Sequence, residues 1–301
     1  MGNKKQKGIY METIQEVLTS GDLPSALRPA LVDTEVIEGA RAALIAQQMV
    51  RVDRRLVGSA GISIEVPKST HLSTGDFTDG TTDMTSPSHS DKSITHETVT
   101  IDKHKYSTYA LSKTFLENQP DIAWIRLGFT NMGKALQEQI DSDILSTLIS
   151  GVTADSKVDA GQNALTYNDI NDAENKLDAV NFKLGYIVIH PNEYADLRAD
   201  SSGSMLDIMQ YTDPSIALNG EVGRVLGAPV LKTTQMTAGS VLLVADKNHL
   251  NGPVAWIAFK RDINVEPHEE PGKEEMYWFT TARYGVKVTQ PSGLALITGV
   301  V

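Results

Sequence analysis

The sequence predicts an α+β fold, on three observations. Apolar residues keep a helical spacing from Ile122 to Leu148, strand-favouring residues fill the chain from Ala255 onward, and a long polar stretch at 68–92 lies between two β-favouring runs. Long helix, strand-rich tail and polar excursion follow no regular alternation, which argues against a repeating α/β plan.

The 301 residues exceed the usual size of a single core, so two packed lobes or one elaborate domain are expected. With 41% hydrophobic and 22% charged residues the composition is that of a globular chain with a real core. The absence of cysteine excludes a disulfide framework, thiolate metal sites and a cysteine nucleophile. Apolar runs such as Tyr186–Ile189 and Val241–Ala245 are too short to cross a bilayer, and the basic start, MGNKKQKGIY, lacks the apolar core of a secretory signal. A soluble chain made inside a cell, with no membrane partner, is the expectation. A net charge of −11 opposes coating of nucleic acid through a broad basic surface, and Lys4, Lys5 and Lys7 read as a solvated basic tail.

Taken in order, residues 1–30 resemble an arm. Glu12–Leu18 can form a turn or two of helix, which Ser20-Gly21-Asp22 and the prolines at 24 and 29 interrupt. Nothing there buries a core alone. Val36, Ile37, Ala40, Ala43 and Leu44 favour a helix within 33–50 over a strand. Ile62–Val66 alternates in strand fashion, and Ile94–Tyr109 returns to β-favouring residues. Together they predict a two-stranded excursion with a polar tip, which needs a partner surface because an isolated hairpin is marginal in water. A solvated insertion is the bland alternative.

Pro120 and Asp121 open the clearest element. Ile122, Ile125, Phe129, Met132, Leu136, Ile140, Ile144 and Leu148 form one apolar stripe, with Lys134, Gln137, Glu138 and Asp141 assigned to other faces. A helix over 120–150 would be about 45 Å long, an organising spine, with a coiled coil as the lesser reading. Gly128 and Gly133 weaken its propensity and suit a close-packed neighbour. Beyond it, a helix is predicted from Thr166 to Val180 with Asp or Asn as N-cap, a buried strand at Tyr186–Ile189, and a helix at Tyr194–Ala199 after His190-Pro191-Asn192-Glu193. Gly220–Leu231 leads into a strand, Val241–Ala245 is another, and the three β runs after Ala255 are broken by an acidic, turn-prone separator at His268–Glu275.

The sequence carries few chemical signals. His190 and Glu193 are metal-ligand types at a turn without further donors, and metal binding needs three or more. His71, His89, His96 and His104, in or beside the polar stretch, read as solvated, with a pH response as the sharper alternative. Gly220, Gly223 and Gly227 match neither the dinucleotide nor the phosphate-loop spacing and read as turns. No catalytic, cofactor-binding or metal residues are assigned, and no cofactor is expected.

The order of parts resembles the major capsid proteins of tailed phages, the Hong Kong 97 fold. The residues that carry the resemblance are YIVIHPNEYADLRA at 186–199, GRVLGAPVLKTT at 223–234, WIAFKRDINVEPHEEP at 256–271 and FTTARYGVKVTQPSGLALI at 279–297. The resemblance implies a non-enzymatic subunit that self-assembles through pentamers and hexamers into an icosahedral shell enclosing double-stranded DNA. It would be made in the host cytoplasm and end in the virion capsid. It implies an N-arm at 1–30, a peripheral domain of 31–60 plus 111–160 plus 255–290 with the spine helix at about 120–150, an extended loop at 61–110, and an axial domain of 161–254 plus 291–301 whose loops near Ser201–Ser204 lie at capsomer axes.

Partners implied are other copies of the chain, a separate scaffold protein, a portal and decoration proteins, with the DNA enclosed without sequence-specific contact. Lys68, Lys92, Phe77 and Arg283 are the candidate inter-subunit contacts. Some relatives join subunits through a lysine–asparagine isopeptide bond. Lys68 and Lys92 are the lysines available between 61 and 102, but no asparagine or glutamate partner can be identified, so ordinary salt bridges are expected instead. An encapsulin-type nanocompartment shell is the alternative within the same fold. A soluble α+β enzyme with 68–92 as a lid is the alternative outside it.

Overall fold

The computed structural model describes residues 34, 36–40, 45–68, 95–112, 114, 122–199, 221–248, 252–270 and 274–301. Residues 1–33, including the expected N-arm, and 69–94, including the expected polar tip, lie outside the described residues.

A six-stranded sheet has a buried centre. Its strands are β5 (Lys157–Asn163), β6 (Leu184–Ile189), β7 (Glu221–Val225), β8 (Ala228–Lys232), β9 (Ser240–Ala245) and β12 (Leu294–Val300), in the order β5-β12-β9-β6-β8-β7. Central β9 pairs antiparallel with both β6 and β12, and its six residues are all buried. Such a strand must be covered on both faces, which explains the unbroken apolar run VLLVA at 241–245.

A four-stranded sheet runs β1-β10-β11-β4, from β1 (Arg51–Asp53), β10 (Ala255–Glu270), β11 (Glu275–Val288) and β4 (Lys103–Ser112). A two-stranded sheet pairs β2 (Ser63–Lys68) with β3 (Thr95–Thr100), from Ser63↔Thr100 to Lys68↔Thr95. The return limb therefore splits at Ile101-Asp102. Only β3 completes the excursion, and β4 pairs instead with β11 from Ser112↔Glu275 to Lys103↔Tyr284.

Three α-helices are delimited among the described residues. α1 (Ile122–Ser150) is the expected spine, with Phe129, Met132, Leu136, Ile140, Ile144 and Leu148 all buried. Two of its polar residues correct the sequence reading. Gln137 and Asp141 are buried, at 1% and 3% exposure. Asp141 Oδ2 accepts hydrogen bonds from the backbone N–H of Ile45 (2.9 Å) and Ala46 (3.2 Å), so a carboxylate in the core satisfies the donors at the start of a 3-10 turn, Ala46–Gln48.

α2 (Tyr167–Asp178) begins on Thr166, not on Asp or Asn as expected. Thr166 and Asp169 form a reciprocal capping box, so the Asp serves three residues inside the helix. α3 (Pro191–Ala199) starts earlier than predicted, with Pro191 in its first turn and Glu193 inside the helix. Of the glycines read as turns, Gly227 occupies one between β7 and β8 at φ +78°, whereas Gly223 lies within β7.

The chain forms two compact units. One comprises 1–44, 103–140 and 260–284, and within it Val36, Leu111, Phe129, Met132 and Trp278 make a core cluster. Phe129 stands edge-on to both Tyr109 (5.6 Å) and Trp278 (5.1 Å). The helical turn at 36–40 crosses α1 so closely that a Cβ on Gly133 would lie 2.0 Å from the Val36 carbonyl oxygen. This is the close neighbour that the glycines of the spine suggested. The second unit comprises 45–102, 141–259 and 285–301 and holds the six-stranded sheet and the β2–β3 hairpin.

Candidate subunit-contact surfaces

Among the described residues no group of three or more His, Asp or Glu is placed to hold a metal ion. Of the His190–Glu193 pair, the glutamate is a structural fastening through one oxygen, Oε1, while Oε2 has no hydrogen-bond partner among the described residues. Glu193 is buried, its Oε1 accepts the N–H of Gly239 at 2.5 Å, and its Oε2 lies 3.3 Å from His190 Nδ1. The carboxylate thus ties the first turn of α3 to the turn before β9. No described helix is long and apolar enough to cross a membrane.

The features that stand out are surfaces. The β2–β3 hairpin has two unlike faces. Ile64, Val66, Val99 and Ile101 join Leu56, Trp256 and Ala258 in a core cluster, while Ser63, Glu65, Pro67, His96, Thr98 and Thr100 point to solvent. The apolar face ends in charge. Glu97 meets Lys287 of β11 at 3.0 Å and Lys68 of β2 at 3.7 Å. Lys287, then the more distant Lys68, holds the Glu97 carboxyl below the usual range, against a smaller upward push from burial. Lys68, expected at an inter-subunit contact, is therefore engaged within its own chain by a salt bridge.

A second surface lies on β4 and β11. Their register places Tyr106 opposite Thr281 and His104 opposite Arg283. Tyr106 is 70% exposed, the most exposed aromatic among the described residues. Arg283, another expected contact, has its Nε buried with no hydrogen-bond partner among the described residues. A buried donor without an acceptor costs free energy. Beside this face His104, Lys105, Tyr106, Ser107, Ala135, Leu136 and Gln139 line a half-open pocket of about 230 Å³. β4 ends its sheet, so its outer backbone edge has no strand beside it among the described residues. Phe77 and Lys92, the remaining expected contacts, lie outside the described residues.

Sequence reasoning missed Glu97, Lys287 and Tyr106. Tyr106 carried a signal, since in KHKYSTYALS it shares its strand face with the polar residues His104 and Thr108 and the small Ala110, a set that does not make a core. Glu97 and Lys287 carried none, because 190 positions of sequence separate them.

A family model described as phage capsid protein matches residues 96–297. No curated protein matches the chain. Among solved structures, the capsid of Ralstonia phage GP4 is similar at a TM-score of 0.66 and 12% identity, covering 83% of this chain and 86% of that one. Mycobacterium phage Che8 is similar at a TM-score of 0.57 and 19% identity, covering 82% and 88%. The holo-SrpI encapsulin complex from Synechococcus elongatus is similar at 0.58 and 11%, covering 86% and 89%.

Proposed function

Since the chain belongs to the phage capsid protein family and has the Hong Kong 97-type fold, it is a capsid shell protein, and we propose that its copies assemble through pentamers and hexamers into an icosahedral shell around double-stranded DNA. The observation that carries this reading is the family match over 96–297, which takes in the spine helix, three of the four strands of the four-stranded sheet, nearly all of the six-stranded sheet and nearly all of β3.

Physical arguments support the reading. A closed shell needs one chain to make several different contacts, repeated by symmetry. This chain offers the polar face of a two-stranded hairpin, a strand edge at β4, and an exposed Tyr106 on that strand. The N-arm at 1–30 and the stretch around Phe77 and Lys92 would lie on neighbouring copies and gain burial there. The peripheral domain would comprise 31–60, 111–160 and 255–290, the extended loop 61–110, and the axial domain 161–254 with 291–301. A net charge of −11 suits a wall that must not bind its genome tightly. A scaffold protein, a portal and decoration proteins would be partners, the role is structural with no reaction or cofactor, and the subunit would pass from host cytoplasm to virion.

The test is negative-stain electron microscopy with mass by light scattering on the purified chain. Closed polyhedra, or rings of five and six subunits, are the expected result. A monomer or dimer that stays small at high concentration and with crowding agents overturns it. The similarity to an encapsulin favours one second reading, a nanocompartment around a protein cargo. Particles isolated from the native source separate the two by their contents, nuclease-protected DNA or a folded protein. A soluble enzyme with 68–92 as a lid draws no support from the family.

A further inference from the structure

The first turn of α3 is built around the ring of His190. The His190 carbonyl accepts the N–H of Tyr194 at 3.2 Å, the opening bond of the helix, so His190 is the N-cap and Pro191, Asn192 and Glu193 are the first three helical residues. The ring caps one of the open donors, since Nδ1 accepts the Asn192 N–H at 3.3 Å. The same nitrogen lies 3.3 Å from Glu193 Oε2. That oxygen is buried and has no hydrogen-bond partner among the described residues, while Oε1 of the same carboxylate takes the N–H of Gly239. One ring nitrogen therefore stands between a donor that needs its lone pair and an acceptor that needs its proton. It can serve only one of them at a time.

We propose that His190 is a proton-operated helix cap: neutral, its Nδ1 accepts the Asn192 N–H and holds the first turn of α3, and on taking up a proton the same nitrogen donates to Glu193 Oε2 and gives up the cap. The proton comes from water, to which the side chain is 18% exposed, and Nε2 keeps its own proton throughout. The surrounding charges pull both ways. Glu193 favours the imidazolium, as does Asp196 on the next turn of α3. The positive end of α3 opposes it, together with Lys232 of β8, which pairs with Ile189 and places Nζ over the Tyr194 ring at 5.4 Å. The turn at 233–239, TTQMTAG, and the strands β9 and β12 bring no charged side chain. Glu193 is the one group of these that offers the proton a direct hydrogen bond, so the carboxylate prevails within the range where histidine changes charge. The fastening of Glu193 to Gly239 persists in both states, and only the hold on the helix start changes. Every group involved lies in one compact unit, so the inference stands independently of the assembly proposal.

Two measurements on the full chain test it. Magic-angle-spinning NMR of the chain labelled with nitrogen-15 histidine reads each ring nitrogen, and His190→Asn identifies the His190 signals among the seven histidines. At about pH 8 Nδ1 should be bare, and at about pH 5 it should carry a proton in contact with a carboxylate carbon. That contact should be missing from Glu193→Gln. Amide exchange by mass spectrometry, on peptides covering 189–197 and corrected for the intrinsic effect of pH, reads the consequence. Protection of the first turn should fall about tenfold between the two pH values, as expected for a lost cap. Asparagine caps well and does not titrate, so His190→Asn should show the same protection at both. A bare Nδ1 at the lower pH, or a proton there without the carboxylate contact, overturns the proposal. So does first-turn protection that is unchanged with pH in the parent, or that falls equally in His190→Asn, which would assign the loosening to other groups. These outcomes do not depend on Glu193→Gln keeping its fold.

Discussion

Every residue of β9, Ser240 to Ala245, is buried, whereas β2 in the same compact unit alternates, exposing Ser63, Glu65 and Pro67 and burying Ile64 and Val66. β9 lies between β6 and β12 at the middle of six strands, and α2 lies against the same sheet with Ile170, Ala173 and Leu177 buried. The hairpin has no third strand among the described residues and rests on the cluster around Trp256 by one face. One region is complete within a single chain. The other spends its backbone on a ribbon that is half wet, which is unfavourable for an isolated protein and reasonable for one that meets neighbours.

If that contrast is sound, core truncation should cost most in the sheet. Leu243→Ala, fully buried on β9, is expected to lower stability by about 2–5 kcal/mol, read from denaturant midpoints at unchanged slope. Val99→Ala, at 0% exposure in the hairpin, is expected to cost less, about 1–2 kcal/mol, because one face of water allows its surroundings to relax. Equal costs would remove the distinction.

Much of this contrast is legible in the sequence, and the rest has identifiable causes. The spine and β9 are readable because burial imposes a period or an unbroken apolar run, as in Phe129 to Leu148 and Val241 to Ala245. The split between β3 and β4 is not, since both strands favour β structure and only pairing with Ser63–Lys68 on one side and Glu275–Tyr284 on the other separates them. Asp141 misleads for a related reason. A carboxylate on a helix normally faces water, and its burial is explained only by the N–H groups of Ile45 and Ala46, 95 residues and more away. Of the contact surfaces, Lys68 and Arg283 were readable as charged residues on strands, but their actual surroundings depend on Glu97 and on the register of β4. Single-chain spacing carries no such information.

A pH series sharpens the comparison at the next level down. Asp53, with its side chain 7% exposed at the end of β1, accepts from Arg55 Nε at 2.8 Å and from the Arg55 N–H at 2.9 Å. The Arg55 side-chain hydrogen bond holds its carboxyl below the ordinary range, outweighing the upward push of burial. A depressed carboxyl stabilises the fold above its unfolded value, near pH 3.9, and that contribution disappears as pH falls through the lowered folded value. Asp53→Asn should therefore cost about 1 kcal/mol at pH 7, and the parent and variant curves should converge toward pH 2. A constant gap across the range would assign the loss to packing.

The smallest expected effect on folding belongs to Tyr106. It is 70% exposed on β4, so Tyr106→Ser removes little buried area and should leave the denaturation midpoint within about 0.5 kcal/mol of the parent. Its effect on association should be far larger. An exposed aromatic beside a pocket and an unpartnered strand edge is the type of residue that contributes most to interfaces, where truncation costs about 2 kcal/mol or more. In a shell each copy repeats the loss, so the concentration needed for particles, followed by light scattering, should rise more than tenfold. Unchanged stability with unchanged assembly would make the β4 face ordinary surface and leave the hairpin as the region of the molecule that depends on neighbours. Lost stability with lost assembly would mean that Tyr106 supports its own sheet, and the division between a self-sufficient body and an outward-facing ribbon would have to be redrawn to include β4.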